Sequence, residues 1–145
     1  MDKLTFKPRG VLPALVTPFT AEEAIDEAAL RALVRYVLPH VNGLVPCGTT
    51  GEFVYLTADE QRQVIEIVVD EVAGRVPVVA GASAPSTRQA IQLARAAQAA
   101  GASACLVVTP FFLHPSDKGI YQHFYKVASA VDIPIILYNL SLIHI

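Results

Sequence analysis

Basic runs, long apolar spans, clustered cysteines and metal-spaced histidines are all missing from this chain. Eleven basic residues stand against thirteen acidic ones, for a formal net charge of -2. That balance excludes the electrostatic footprint of a nucleic-acid binder or of a protein held on an anionic membrane. The opening residues, Met1-Asp2-Lys3-Leu4-Thr5, lack the apolar core of a signal peptide. The longest uncharged stretch, Ala96 to Ser116, is broken by Gln98, Gly101, Ser103, Pro110 and Pro115. It reads as a helix end, a turn and a strand, not a membrane span. Only two cysteines occur, Cys47 and Cys105, each beside or within an apolar run. Buried free thiols are expected there rather than a disulfide or a metal pair. His40, His114, His123 and His144 have no ligand spacing, so no metal is expected. Neither Gly-x-Gly-x-x-Gly nor a Walker lysine is present, and no nucleotide cofactor is expected. The expectation is a soluble cytoplasmic domain without nucleic-acid or membrane partners.

What the chain does contain is an alternation. Its 145 residues, 53% of them hydrophobic, suffice for one domain that buries roughly 70% of its unfolded surface. Apolar runs at Val11–Val16, Gly43–Pro46, Val76–Gly81, Ala104–Val108 and Pro134–Leu137 are short, unbroken and without polar alternation, as in strands covered on both faces. Between them lie helical patterns. Asp26 caps a helix running to about His40. Thr57 and Glu60 form a capping box for a helix stopped by Gly74. Ser86 and Gln89 form another box for an alanine-rich helix, and Ser116 starts the last helix. The later strands recur at βαβ spacing, and the fold class is parallel α/β.

Two architectures fit that pattern. An open five-strand sheet of flavodoxin type suits the length. A (β/α)8 barrel needs about 250 residues, so this chain would be a single domain, residues 1–145, carrying about the first five strands and four helices. Thr17, Thr49, Thr50, Ser83, Thr109 and Tyr138 all fall at carboxyl ends of successive strands. In a barrel those ends share one face, where active sites form; an open sheet spreads them along an edge. The barrel is the favoured reading.

The tip of the second strand, Gly48-Thr49-Thr50-Gly51-Glu52, combines two glycines that permit a tight bend with two threonines offering hydroxyls and N–H groups to a small anion. An ordinary polar loop is the alternative. Together with Gly10-Val11 through Val16-Thr17-Pro18-Phe19, Val79-Ala80-Gly81-Ala82, Thr109-Pro110-Phe111-Phe112 and Ile136-Leu137-Tyr138-Asn139, the chain resembles the dihydrodipicolinate synthase / N-acetylneuraminate lyase family of Schiff-base aldolases from about Lys7 to Asn139. The resemblance implies a lyase in which a lysine condenses with pyruvate or another 2-oxo acid, the imine then serving as electron sink. It implies that the backbone of Thr49 and Thr50, after Gly48, holds the carboxylate. The Thr49 hydroxyl would join a proton relay, and Tyr138 would supply the phenol that shuttles protons. The family needs no added cofactor and is commonly tetrameric. Beside these roles stand plainer ones: Tyr138 as a core residue with a wet hydroxyl, the threonines as turn caps, and Glu52 as an acceptor for loop N–H groups.

Three departures from the family pattern matter. Phe112 stands where many members carry a relay tyrosine, so an aldolase or dehydratase acting on a sugar-derived 2-oxo acid is as well supported as the synthase. The helix start Thr57-Ala58-Asp59-Glu60-Gln61 lacks the histidines found where some synthases bind feedback lysine, so that regulation is not expected. The imine-forming lysine, which the family places on its sixth strand, is not among Lys3, Lys7, Lys118 and Lys126. The chain is therefore expected to be an inactive amino-terminal portion, and Leu140–Ile145 to be foreign sequence. A complete flavodoxin-like binding module and a non-catalytic paralogue that binds a 2-oxo acid are the alternatives. Two unpaired edges, near Val11–Val16 and Pro134–Leu137, invite pairing between molecules. Sedimentation should accordingly show this polypeptide self-associating with concentration; a sharp monomeric boundary with a cooperative melt would favour the complete open sheet.

Overall fold

The computed structural model describes residues 6–113 and 115–139; Lys3, His114, His144 and the 140–145 tail lie outside the described residues. Four helices, α1 (Glu27–Val37), α2 (Ala58–Val72), α3 (Thr87–Ala99) and α4 (Asp117–Ser129), alternate with three strands, β1 (Val79–Gly81), β2 (Ala104–Val108) and β3 (Ile135–Tyr138).

The helix starts follow the capping residues. Asp26 accepts from Ala29 N, and Ser116 from Gly119 N. Thr57 and Glu60 complete a reciprocal capping box on α2. On α3 only one side of the expected box is present: Ser86 Oγ accepts from Gln89 N at 3.2 Å. The first helix stops earlier than its pattern suggests. Pro39 cannot donate the next helical bond, and residues Leu38–His40 tighten into a 3-10 turn. At the end of α2, Ala73 and Gly74 are both left-handed, with φ 48° and 73°.

The strands are where expectation and structure differ. The first two apolar runs do not form continuous strands. They meet their neighbours only at single parallel bridges, Ala14 with Val45 and Leu44 with Val78. The third strand is likewise trimmed to β1. Proline is the reason: Pro13, Pro18, Pro46 and Pro77 stand within or beside these runs, and none has an N–H for a ladder. Hydrogen bonds between the runs persist around the prolines: Val45 N donates to Pro13 O at 2.9 Å and Leu15 N to Val45 O at 3.0 Å, while Leu44 N donates to Pro77 O at 3.0 Å and Val79 N to Leu44 O at 2.9 Å.

The order of pairing is nonetheless complete. The first run lies beside the second, the second beside β1, β1 beside β2 and β2 beside β3, every contact parallel. A flavodoxin order would place the first strand between the second and third; here the second occupies that middle place. Helices pack in the same succession, α1 on α2, α2 on α3 and α3 on α4. Apolar residues of the strands and of the helices' inward faces (Leu30, Val34, Leu44, Val68, Ala94, Val107 and Val127 among them) form one buried core. Both thiols lie within it, free, and burial pushes each up to about 12, so both stay protonated.

Register assigns faces to the sheet. Cys105 Sγ is 3.9 Å from the Ala94 carbonyl of α3, so Cys105 and Val107 face the helices. Side chains alternate along a strand, which turns Leu106 and Val108 to the inner face. Tyr138 pairs with Val108, and Leu137 with Val107. Tyr138 thus projects away from the helices. Leu137, 61% exposed, lines an apolar groove of about 560 Å³ with Ile120, Phe124 and Ile135 between β3 and α4.

One polar contact ties α3 to α4. His123, 2% exposed, sets Nδ1 3.0 Å from Thr87 Oγ1, while its buried Nε2 has no partner among the described residues. Desolvation by burial holds the imidazole below its ordinary value. The unfolded chain then takes up this proton first as pH falls below about 6.5. Its contribution to stability is complete above that pH and drains away toward the lowered folded value, with a slope of at most about 1.4 kcal/mol per pH unit. Urea midpoints compared at pH 7.5 and 5.5 should fall more for the natural chain than for His123→Gln, which cannot titrate.

Candidate active site at the strand tips

The second apolar run ends at Pro46, and the chain then enters a turn that bends twice through left-handed backbone. Cys47 has φ 56° and Glu52 φ 58°, rare values for residues bearing a Cβ. Between them Thr49–Gly51 forms one 3-10 turn. Gly51 N donates to Gly48 O at 3.0 Å, and Glu52 N to Thr49 O at 3.1 Å. The amides and hydroxyls of Thr49 and Thr50 have no partner among the described residues, and both residues are exposed. Two successive N–H groups and two hydroxyls are therefore available at one strand tip, the donor set that suits a carboxylate.

Other tip residues support this turn. Thr17, ending the first run, donates its hydroxyl to Gly51 O at 2.8 Å. Behind the turn, Gln61 of α2 sends Nε2 to Phe53 O at 3.0 Å and to Leu56 O at 3.3 Å, anchoring the segment that leads into the helix. Phe53 meets Phe111, from the loop after β2, edge to face at 5.9 Å. Ser83, after β1, accepts from Val108 N at 3.1 Å and fastens the third tip to the fourth.

Tyr138 closes β3. Its carbonyl accepts from Thr109 N at 3.1 Å, and its half-buried side chain leaves the inner face. The structure therefore sets the threonine turn and Tyr138 at the same, carboxyl, edge of the sheet. It does not put them in contact through the backbone: two strands intervene, about 14 Å along the sheet at the usual strand spacing. Thr17 and Ser83 serve as fasteners between tips. Glu52 accepts from a loop N–H through its main-chain carbonyl, Tyr55 N donating at 2.9 Å, while its carboxylate accepts no hydrogen bond among the described residues.

Residues 7–143 match the Dihydrodipicolinate synthetase family. This chain belongs to that family. Similar curated proteins include the 4-hydroxy-tetrahydrodipicolinate synthase of Brucella abortus biovar 1 (strain 9-941), 49% identical over 133 residues that make up 91% of this chain and 45% of that protein. The enzyme of the same description from Nitrobacter hamburgensis is 53% identical over the same shares. Among solved structures, YagE of Escherichia coli K12, a prophage protein of the dihydrodipicolinic acid synthase family in complex with pyruvate, superposes with a TM-score of 0.88 at 34% identity, covering 90% of this chain and 44% of that one. Dihydrodipicolinate synthase from Aquifex aeolicus gives 0.87 at 42%, with 90% and 45% covered. The chain thus spans about half the length of the curated relatives it matches, and its α/β architecture is that of these barrel proteins.

Phe112 lies at a left-handed position, φ 74°, and is 94% exposed. Under the Phe53–Phe111 pair a cavity of about 130 Å³ is lined by Leu56, Gln61, Ser83, Ala84 and Gln89, with no charged side chain.

Gln61 was not singled out by sequence, although its spacing to Val64, Ile65, Val68 and Val72 puts it on the inward face of α2. A polar residue at such a position signals a buried hydrogen-bonding task. Gln61→Leu should destabilise this polypeptide by about 1–3 kcal/mol in urea denaturation, because the Phe53 and Leu56 carbonyls lose their donor; an unchanged midpoint would show that water replaces it without loss.

Proposed function

We propose that this chain is the amino-terminal portion of a Schiff-base lyase acting on pyruvate-type 2-oxo acids. The observation that carries the reading is the threonine turn, whose paired unpartnered amides stand at a strand tip on the edge where Tyr138 also ends. In this reading the amides of Thr49 and Thr50 hold the substrate carboxylate beside Gly48. The Thr49 hydroxyl passes protons, and the Tyr138 phenol delivers and removes them as the imine forms and the carbon–carbon bond is made or broken. The nucleophile is a lysine of the remaining polypeptide. Lys7 precedes the first run, and Lys118 and Lys126 sit exposed on α4, so no described lysine reaches a strand tip. The fragment by itself then forms no imine, while the whole protein works as a cytoplasmic homotetramer without a bound cofactor.

Relatives named 4-hydroxy-tetrahydrodipicolinate synthase support a condensation of pyruvate with an aldehyde. Phe112 supports a second reading, a 2-keto-3-deoxy sugar acid aldolase or dehydratase, because a benzyl side chain cannot relay a proton. The helix start Thr57-Ala58-Asp59-Glu60-Gln61, which lacks histidine, supports the absence of feedback by lysine.

Incubation of the uninterrupted protein with pyruvate and borohydride should leave a reduced adduct on a lysine beyond residue 139, visible by mass spectrometry, and none on the 1–145 polypeptide. Thr49→Val and Tyr138→Phe should each lower kcat, by about a hundredfold or more for the loss of a proton-transfer group. Absence of any adduct would favour the non-catalytic paralogue or the binding module. Condensation of pyruvate with an aldehyde, against turnover of a 2-keto-3-deoxy sugar acid, separates the two enzyme readings.

A further inference from the structure

The threonine turn is gripped at both ends by the strands on either side of it. At its root, Cys47 is 1% exposed, and its carbonyl lies directly on the backbone of Gly81, the last residue of β1. A Cβ built on Gly81 would fall 1.8 Å from Cys47 O and 2.5 Å from its carbonyl carbon, an overlap that no side-chain rotation relieves. Gly81 N also donates to Pro46 O at 2.9 Å, which holds the two backbones at that separation. The Cys47 thiol is pinned from the third direction, 3.6 Å from the Gln61 carbonyl of α2. At the far end the grip comes from the first run. Gly51 is buried, a Cβ there would stand 3.0 Å from Leu15 O and 3.3 Å from Thr17 Oγ1, and Thr17, 5% exposed, bonds the Gly51 carbonyl at 2.8 Å.

Between these two anchors lie the buried Gly48 and the exposed Thr49 and Thr50. The left-handed backbone of Cys47 and Glu52 brackets the same segment. Such conformations persist where the surroundings over-determine them. Here the surroundings are the bare backbone of Gly81 and the hydroxyl of Thr17. A turn fixed at its ends presents its donors without the ordering cost that a mobile loop meets on binding.

We infer that Gly81 and Thr17 are positioning residues for the substrate carboxylate, acting through the backbone of the threonine turn without touching the substrate. The inference rests on the carboxylate-binding role given above to Thr49 and Thr50. A methyl group at position 81 must displace the Cys47 carbonyl and, with it, Gly48 and Thr49. Loss of the Thr17 hydroxyl leaves the shape of the tip intact and frees Gly51.

The test uses the uninterrupted protein with pyruvate as probe. Thr17→Val should raise KM for pyruvate about tenfold, the scale of one lost buried hydrogen bond, with kcat changed much less. Thr17→Ser, which keeps the hydroxyl, should return KM to near the natural value. Gly81→Ala should raise KM at least as far. Should Gly81→Ala fail to fold, the Thr17 pair decides the matter. An unchanged KM in Thr17→Val, or an equal rise in Thr17→Ser, overturns the inference. So does a variant whose whole loss is in kcat. Failure of the natural protein to form any pyruvate adduct strikes the proposed function instead, so the two failures are told apart in one experiment.

Discussion

Every apolar segment of this chain pairs in parallel with the one before it, and that single constraint arranges all the rest. Parallel pairing in sequence order needs a crossover after each segment, so helices follow one another over one face. It also points every segment the same way, so that Thr17, the threonine turn, Ser83, Thr109 and Tyr138 arrive at one edge. No long ladder enforces this at the start of the chain, where prolines leave only single bridges. There the register rests on a few backbone bonds, among them Leu15 N to Val45 O, Leu44 N to Pro77 O and Val79 N to Leu44 O, with Leu15, Leu44 and Val78 buried in the core.

The candidate site is the product of close approach more than of side-chain chemistry. Its turn rests on an unsubstituted backbone at Gly81, is tied to the first run by one hydroxyl, and is backed by a glutamine buried in α2. Each neighbour contributes a different kind of restraint: excluded volume, a hydrogen bond, and satisfaction of buried carbonyls. Preorganised donors of this kind act on a developing or existing negative charge without first having to be gathered. The anion-holding half of the proposed chemistry is thus contained within one chain segment and its two neighbours. In the proposed reading the nucleophile is a lysine outside the described residues.

Membership of the dihydrodipicolinate synthetase family explains why these elements recur together, yet the departures are informative in their own right. Phe112 puts hydrocarbon where a phenol could relay protons. Gln61 and Gln89 line a cavity without charge. Neither touches the threonine turn, whose geometry stays intact around them.

Local chemistry alone was enough to reveal the helices, because Asp26, Thr57, Ser86 and Ser116 each cap through bonds formed within a few residues. The strand-tip threonines and Tyr138 were visible too, since a polar residue after an apolar run is a pattern confined to the chain's own neighbourhood. Extents of the first two strands were misjudged, because a ladder depends on donors that prolines remove and on partners far away in sequence. Thr17 could be placed at a tip but not bonded to Gly51 across 34 residues. Gly81 looked like one more small strand residue until the Cys47 carbonyl was found lying on it. What the sequence determined by itself is thus the set of elements and the residues ending them. What only the tertiary structure decided is which tips touch, since contact between distant segments depends on packing that no short window of residues contains.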